Sequence, residues 1–159
     1  MKTLLRATFL LVALFSITHS VAQNPATLKR EIASGPFKAG HIQGIAVDAK
    51  QEYIYYSYTT MLIKTDREGN IVGTVTGLLG HLGDLDYNAA DGRVYGSLEY
   101  KNDAIGRGIL NMEKSTRKLD NAFYIAIFDV DRINRVGMDA ERDGIMTTVY
   151  LPTVLEDYL

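Results

Sequence analysis

Two histidines, His41 and His81, stand forty residues apart, and each opens an apolar run, His41-Ile42-Gln43-Gly44-Ile45 and His81-Leu82-Gly83-Asp84-Leu85. An imidazole at the start of a strand can contact a ligand or a metal near neutral pH. It can equally bond a backbone group and fix a turn, the structural role that a repeated position favours. Around the second histidine lie further groups with chemistry to offer: Asp84, Glu99, Lys101 and, beyond them, Arg107 in the run Gly106-Arg107-Gly108. Asp84 occupies the place that Gly44 holds in the first run, so a carboxylate replaces a glycine where a strand begins. The Gly-Arg-Gly run could hold an anion through its backbone N–H groups and guanidinium, but its composition favours a flexible loop tip.

Other chemistries are poorly served. The chain has no Cys, which removes thiol catalysis and thiolate metal sites, and it contains no G-x-S-x-G, H-E-x-x-H or G-x-x-x-x-G-K motif. Asp139-Ala140-Glu141-Arg142-Asp143-Gly144 imitates the first half of a calcium loop. The twelfth position, where a bidentate Glu belongs, is Tyr150, so a solvated turn is the expected structure.

A repeat sets the secondary structure around these groups. The run His41 to Asp48 aligns without gaps with His81 to Asn88, and the same offset lays Ile54-Tyr55-Tyr56-Ser57 over Val94-Tyr95-Gly96-Ser97. Apolar positions alternate with small or polar ones, which is the period of a strand. The first unit, 41–80, reads as strands at 43–48, 53–59, 61–65 and 70–76, with turn chemistry at Asp48-Ala49-Lys50-Gln51 and Asp66-Arg67-Glu68-Gly69. The second unit, 81–152, reads as strands at 83–88, 93–100, 123–128 and 146–151. An inserted loop, 102–121, separates its second and third strands, and Pro152 ends its fourth. Four-stranded antiparallel units at this period point to propeller blades. The expected fold class is all-β: a partial β-propeller of about two such blades, with a sandwich or barrel as the structural alternative. Residues 153–159 read as a tail without a capping element.

The beginning of the chain reads as an address. Lys2 and Arg6 precede an apolar run from Phe9 to Ile17, and Ser20-Val21-Ala22 supplies small residues for cleavage before Gln23. This is the pattern of a secretory signal peptide, 1–22, followed by a lead-in, 23–40, and it places the mature protein outside the cytoplasm, periplasmic or secreted. The apolar run is shorter than a membrane span of about 20 residues, and without Cys there is no site for lipid attachment. Cleavage leaves about 137 residues, enough for one modest core. The whole chain has 159 residues, with 17 Lys and Arg against 19 Asp and Glu. That balance, with no block of five or six like charges, gives no electrostatic footprint for nucleic acid.

The stretch His41 to Asp48, then Glu52-Tyr53-Ile54-Tyr55-Tyr56-Ser57, then Ile63-Lys64-Thr65-Asp66-Arg67-Glu68-Gly69-Asn70-Ile71-Val72, resembles one blade of the NHL-repeat and gluconolactonase-like propellers. The resemblance covers roughly residues 40–151. It implies that His41, His81, the 102–121 insertion and nearby Asp84, Glu99 and Lys101 share one face of a rigid scaffold. It also implies a divalent cation, such as calcium, held at the channel mouth, with Asp84 and Glu99 as contributors. Closed rings hold about four to eight blades, so the expectation is the N-terminal part of a longer propeller. Self-association that completes a ring, or a curved open sheet of another fold, are the other two readings. The functional expectation is an exported platform for a small molecule, glycan or protein, and the alternative is a metal-dependent, lactonase-like hydrolase.

Overall fold

The computed structural model describes residues 31–35 and 37–159, and the expected signal peptide lies outside them. The chain is predominantly β, in two sheets. The first contains β1 (Ile42–Val47), β2 (Tyr53–Tyr58), β3 (Met61–Asp66) and β4 (Ile71–Thr76), antiparallel and in chain order. The second contains β5 (His81–Asn88), β6 (Arg93–Tyr100), β7 (Ala122–Phe128) and, as its last strand, β9 (Met146–Tyr150). Between β7 and β9 the chain leaves the second sheet, adds β8 (Met138–Asp139) in parallel to the edge of β4, and returns.

Local chemistry makes the hairpins. In the β1–β2 turn the Asp48 carboxylate accepts from the N–H groups of Lys50, Glu52 and Tyr53, and Gln51 takes the left-handed conformation at φ 57°. In the β3–β4 turn Asp66 accepts from Glu68 N–H and from both the backbone and side-chain N–H of Asn70, while Gly69 supplies φ 86°. Those bonds, the Asn70 side chain first, hold the Asp66 carboxyl below the ordinary aspartate range.

The main core lies between the sheets. Tyr55, Leu62 and Val75 from the first meet Leu82, Leu85, Val94, Leu98 and Phe128 from the second, and Tyr55 stacks on Tyr87 with centroids 6.3 Å apart. The excursion between β7 and β9 contributes Val130, Ile133, Met138, Ala140 and Ile145 to the same core. Lys64 is buried there as well: its ammonium donates to the Val130 carbonyl at 2.8 Å and lies 4.2 Å from the centre of the Tyr53 ring. Burial pushes its pKa below the ordinary lysine value against the pull of Asp131 and Asp48. A smaller cluster covers part of the other face of the first sheet, where Phe37 and Ala39 of the lead-in pack with Tyr58 and Ile63.

The two sheets meet through non-equivalent faces. Across the first sheet, Ser57, Leu62 and Val75 form one row of partners, each 0% exposed beneath the second sheet and the excursion between β7 and β9. The corresponding row of the second sheet, Ser97, Ile125 and Val149, lies on its far side, and there Val149 is 51% exposed. The second sheet instead turns Leu82, Leu85, Val94 and Leu98 toward the first.

Three expectations are corrected. The segment 102–121, expected as a loop, carries the helix α1 (Ala104–Met112), because the Asp103 side chain caps it by accepting from the N–H groups of Ile105 and Gly106. Gly106-Arg107-Gly108 is therefore helical and no loop tip; a close approach of Gly106 to the Lys101 carbonyl seats the helix. The expected tail is the helix α2 (Pro152–Tyr158), since proline, which ends the ladder, is also suited to a helix's first turn. Among the described residues no helix is long and apolar enough to cross a membrane.

Candidate functional site

The antiparallel register of β5 and β6 sets His81 opposite Glu99. Both side chains are half-buried, and His81 Nδ1 lies 3.0 Å from Glu99 Oε1. The other carboxylate oxygen, Oε2, lies 3.4 Å from the Lys101 ammonium, which follows directly on β6. Lys101 in turn reaches α2: its Nζ donates to the Tyr158 hydroxyl at 3.3 Å and sits 4.5 Å from the centre of that ring. Burial would lower the lysine pKa, but the Tyr158 and Glu99 contacts outweigh it and hold the ammonium above the ordinary lysine value. The result is a chain of alternating charge and polarity, His81, Glu99, Lys101 and Tyr158, in which each member orients the next.

This chain borders a groove of about 320 Å³ on the outward face of the second sheet. One end is polar, formed by His81, Glu99, Ser97 and the backbone at Gly83. The walls are apolar, with Phe123 and Ile125 from β7 on one side and Leu151 and Val154, at and within α2, on the other. Phe123 packs edge-on against Tyr158 at 5.2 Å between centroids, which ties α2 to the sheet. With Nδ1 engaged by Glu99, the imidazole Nε2 is the ring atom that a ligand can reach. A preformed cleft with apolar walls and a few convergent polar groups is the usual form of a small-molecule site.

The remaining candidates lie apart from this groove. His41 is exposed just before β1, and its Nε2 lies 3.0 Å from the Gln43 amide of that strand. Asp84 is exposed; its Oδ1 accepts from Leu85 N–H at 2.9 Å, and its backbone lies against Gly44, so the repeat-equivalent positions of β1 and β5 adjoin. Arg107 is exposed on α1, and its backbone N–H donates to the Asp103 carbonyl within the helix. In the run that imitates a calcium loop, the carboxylates serve the turn itself. Asp139 accepts from the N–H groups of Glu141 and Arg142, and Asp143 accepts from Asp139 N–H and from Arg135.

The divalent cation implied by the resemblance does not fit these residues. Both oxygens of Glu99 face nitrogen partners, and hard cations need about six oxygen ligands. Among the described residues no group of three or more His, Asp or Glu side chains could hold a metal ion.

Two parts of the site escaped the sequence reading. Tyr158 fell in the segment read as a featureless tail, although Pro152 followed by Val154, Leu155 and Tyr158 at helical spacing was a legible helix signal. Alternation puts Phe123 on a strand, but no local feature says which face of that strand lies open. Comparison with models of protein families, with curated proteins and with solved structures found nothing that this chain matches.

Proposed function

We propose that this chain is an exported binding protein of the β-propeller type, whose groove between the second sheet and α2 takes a small molecule with an apolar face and hydroxyl or amide groups. The observation that carries the reading is the His81–Glu99–Lys101 chain at the polar end of an apolar-walled groove. Its donors and acceptors are already oriented by one another, so a ligand pays little to organise them. Phe123 offers a flat apolar wall of the kind that a sugar ring or an aromatic group lies against.

The blade reading is supported by three features. Strands run in chain order within each four-stranded unit, the repeat-equivalent Gly44 and Asp84 adjoin, and the sheets stack front to back. The signal-peptide pattern at the N-terminus supports export. The lactonase-like alternative draws on the resemblance alone and is not carried further.

The test is a methyl-resolved NMR titration with monosaccharides, N-acetylated sugars and small aromatic alcohols at millimolar concentration. At least one compound should give saturable shifts at Ile125 and Val154, weakened about tenfold or more in His81→Ala and Glu99→Gln, as expected when a binding group is left unpaired. Absence of any saturable shift at these methyls would overturn the reading. So would binding that both substitutions leave unchanged.

A further inference from the structure

The front-to-back stacking of the two sheets leaves one copy of each interacting face unused. The front of the first sheet, with the row Ser57, Leu62 and Val75, is covered by the back of the second together with the excursion between β7 and β9. The front of the second sheet carries a row of the same character at the same repeat positions, Ser97, Ile125 and Val149, and it is open. Conversely, the back of the first sheet is the repeat equivalent of the covered back of the second. There Ile45 and Val47 of β1 and Ile71 of β4 are 54%, 44% and 42% exposed. Lead-in residues cover the Tyr58 end of that back and also reach the opposite end, where Ile32 lies against Gly69 in the β3–β4 turn, and α2 covers the Phe123 end of the open front.

We infer that a second copy of this chain docks here, the back of its first sheet on the front of the second sheet of its neighbour, continuing between molecules the interface that already joins the sheets within one. Repeat arrays expose an apolar face at each end that must be capped or stacked, and here the two ends complement each other. An interface between two different patches is heterologous: it propagates, and closes into a ring when the rotation per sheet permits. A second copy seated on this row would also cover the groove, since Ser97 and Ile125 line it. Ser97 and Ile125 belong to both surfaces, but the contact needs no bound molecule, so association measured without ligand and ligand binding measured by titration fail separately.

The test is sedimentation velocity over a wide concentration range, without ligand, on the wild-type chain and on two variants at exposed positions, Val149→Asp on the front and Ile45→Asp on the back. The wild type should associate beyond a dimer or into a closed ring. Each variant alone should be monomeric, with association weakened about a hundredfold or more by an unpaired charge at the contact. Mixed, the two variants should form a one-to-one complex and nothing larger, because the mixture retains one live front and one live back. Circular dichroism checks that both variants fold, and buried positions are avoided for that purpose. A wild-type chain that stays monomeric at millimolar concentration overturns the inference. Association lost in Val149→Asp but intact in Ile45→Asp also overturns it, since that pattern belongs to a front-to-front dimer.

Discussion

Replacing Gly44 by alanine tests the approach of the two inner strands directly. A Cβ at this position would stand 2.7 Å from Asp84 Cα, 2.7 Å from Leu85 N and 2.8 Å from Asp84 Oδ1. Ordinary contact begins near 3.4 Å, so β5 would have to retreat by about 0.7 Å, and two of the three obstacles are backbone atoms that no rotamer change can move. The retreat would stretch the bond from Ser57 Oγ to the Gly83 carbonyl, now 2.5 Å, and the Leu82 N–H to Thr59 carbonyl bond, now 2.9 Å. Overpacking of this kind costs about 1–3 kcal/mol. The entropy that alanine removes from the unfolded chain returns about 0.4–1 kcal/mol, because Gly44 is not in the left-handed region. The net expectation is a loss of about 1–2 kcal/mol, or a fall in Tm of roughly 3–10 °C for a domain of this size. Urea unfolding followed by circular dichroism and tyrosine fluorescence reads it, the chain having 10 Tyr and no Trp. A midpoint within about 0.5 kcal/mol of wild type would refute the reasoning, because the strands would then not approach as closely as the structure places them.

Two glycines of α1 should respond in opposite directions. Gly106→Ala should destabilise the domain by about 1–3 kcal/mol, since a Cβ there collides with the Lys101 carbonyl, whereas Gly108→Ala, with nothing near it, should stabilise by roughly 0.5–1 kcal/mol; thermal melts compare them. Lys64→Met should leave stability at neutral pH unchanged or raise it by about 1 kcal/mol, because a buried ammonium with one carbonyl partner is poorly compensated; a loss above about 2 kcal/mol in urea would contradict this. With the folded pKa of Lys64 depressed, the wild type should gain stability as pH rises from that folded value toward the unfolded one, and Lys64→Met should lose that gain. The Asp143 carboxyl is held below the ordinary aspartate range, first by the Asp139 N–H and then by Arg135. Its stabilising contribution is present above the unfolded pKa, about 3.9, and is lost as pH falls through the lower folded value. Urea midpoints across that acid window should fall more steeply for wild type than for Asp143→Asn.

The strands were legible because their causes are local. Alternation at Tyr53 to Tyr58 and Arg93 to Tyr100, and Asp-led turns at Asp48 and Asp66, act within a few residues, so a linear reading finds them. The helices carried local signals too, the Asp103 cap and Pro152 at a first turn, but polar composition outweighed the first and the strand-ending role of proline hid the second. The excursion that carries β8 had no local cause. A strand of two residues exists only because Thr76 and its neighbours offer an unpaired edge, and the Met138 and Ala140 side chains find the core there.

The candidate site divides along the same line. Residue type alone marks which side chains could act, and the repeat puts His81 near Glu99 and Lys101. Only the tertiary structure decided that His41 and Asp84 stand apart, that Tyr158 joins Lys101 across fifty-seven residues, and that Ser57 is buried while Ser97 is open. Periodicity states that a strand has two faces and which residues share each. Which face is covered depends on what packs against it, and that is a property of contacts between segments distant in the chain.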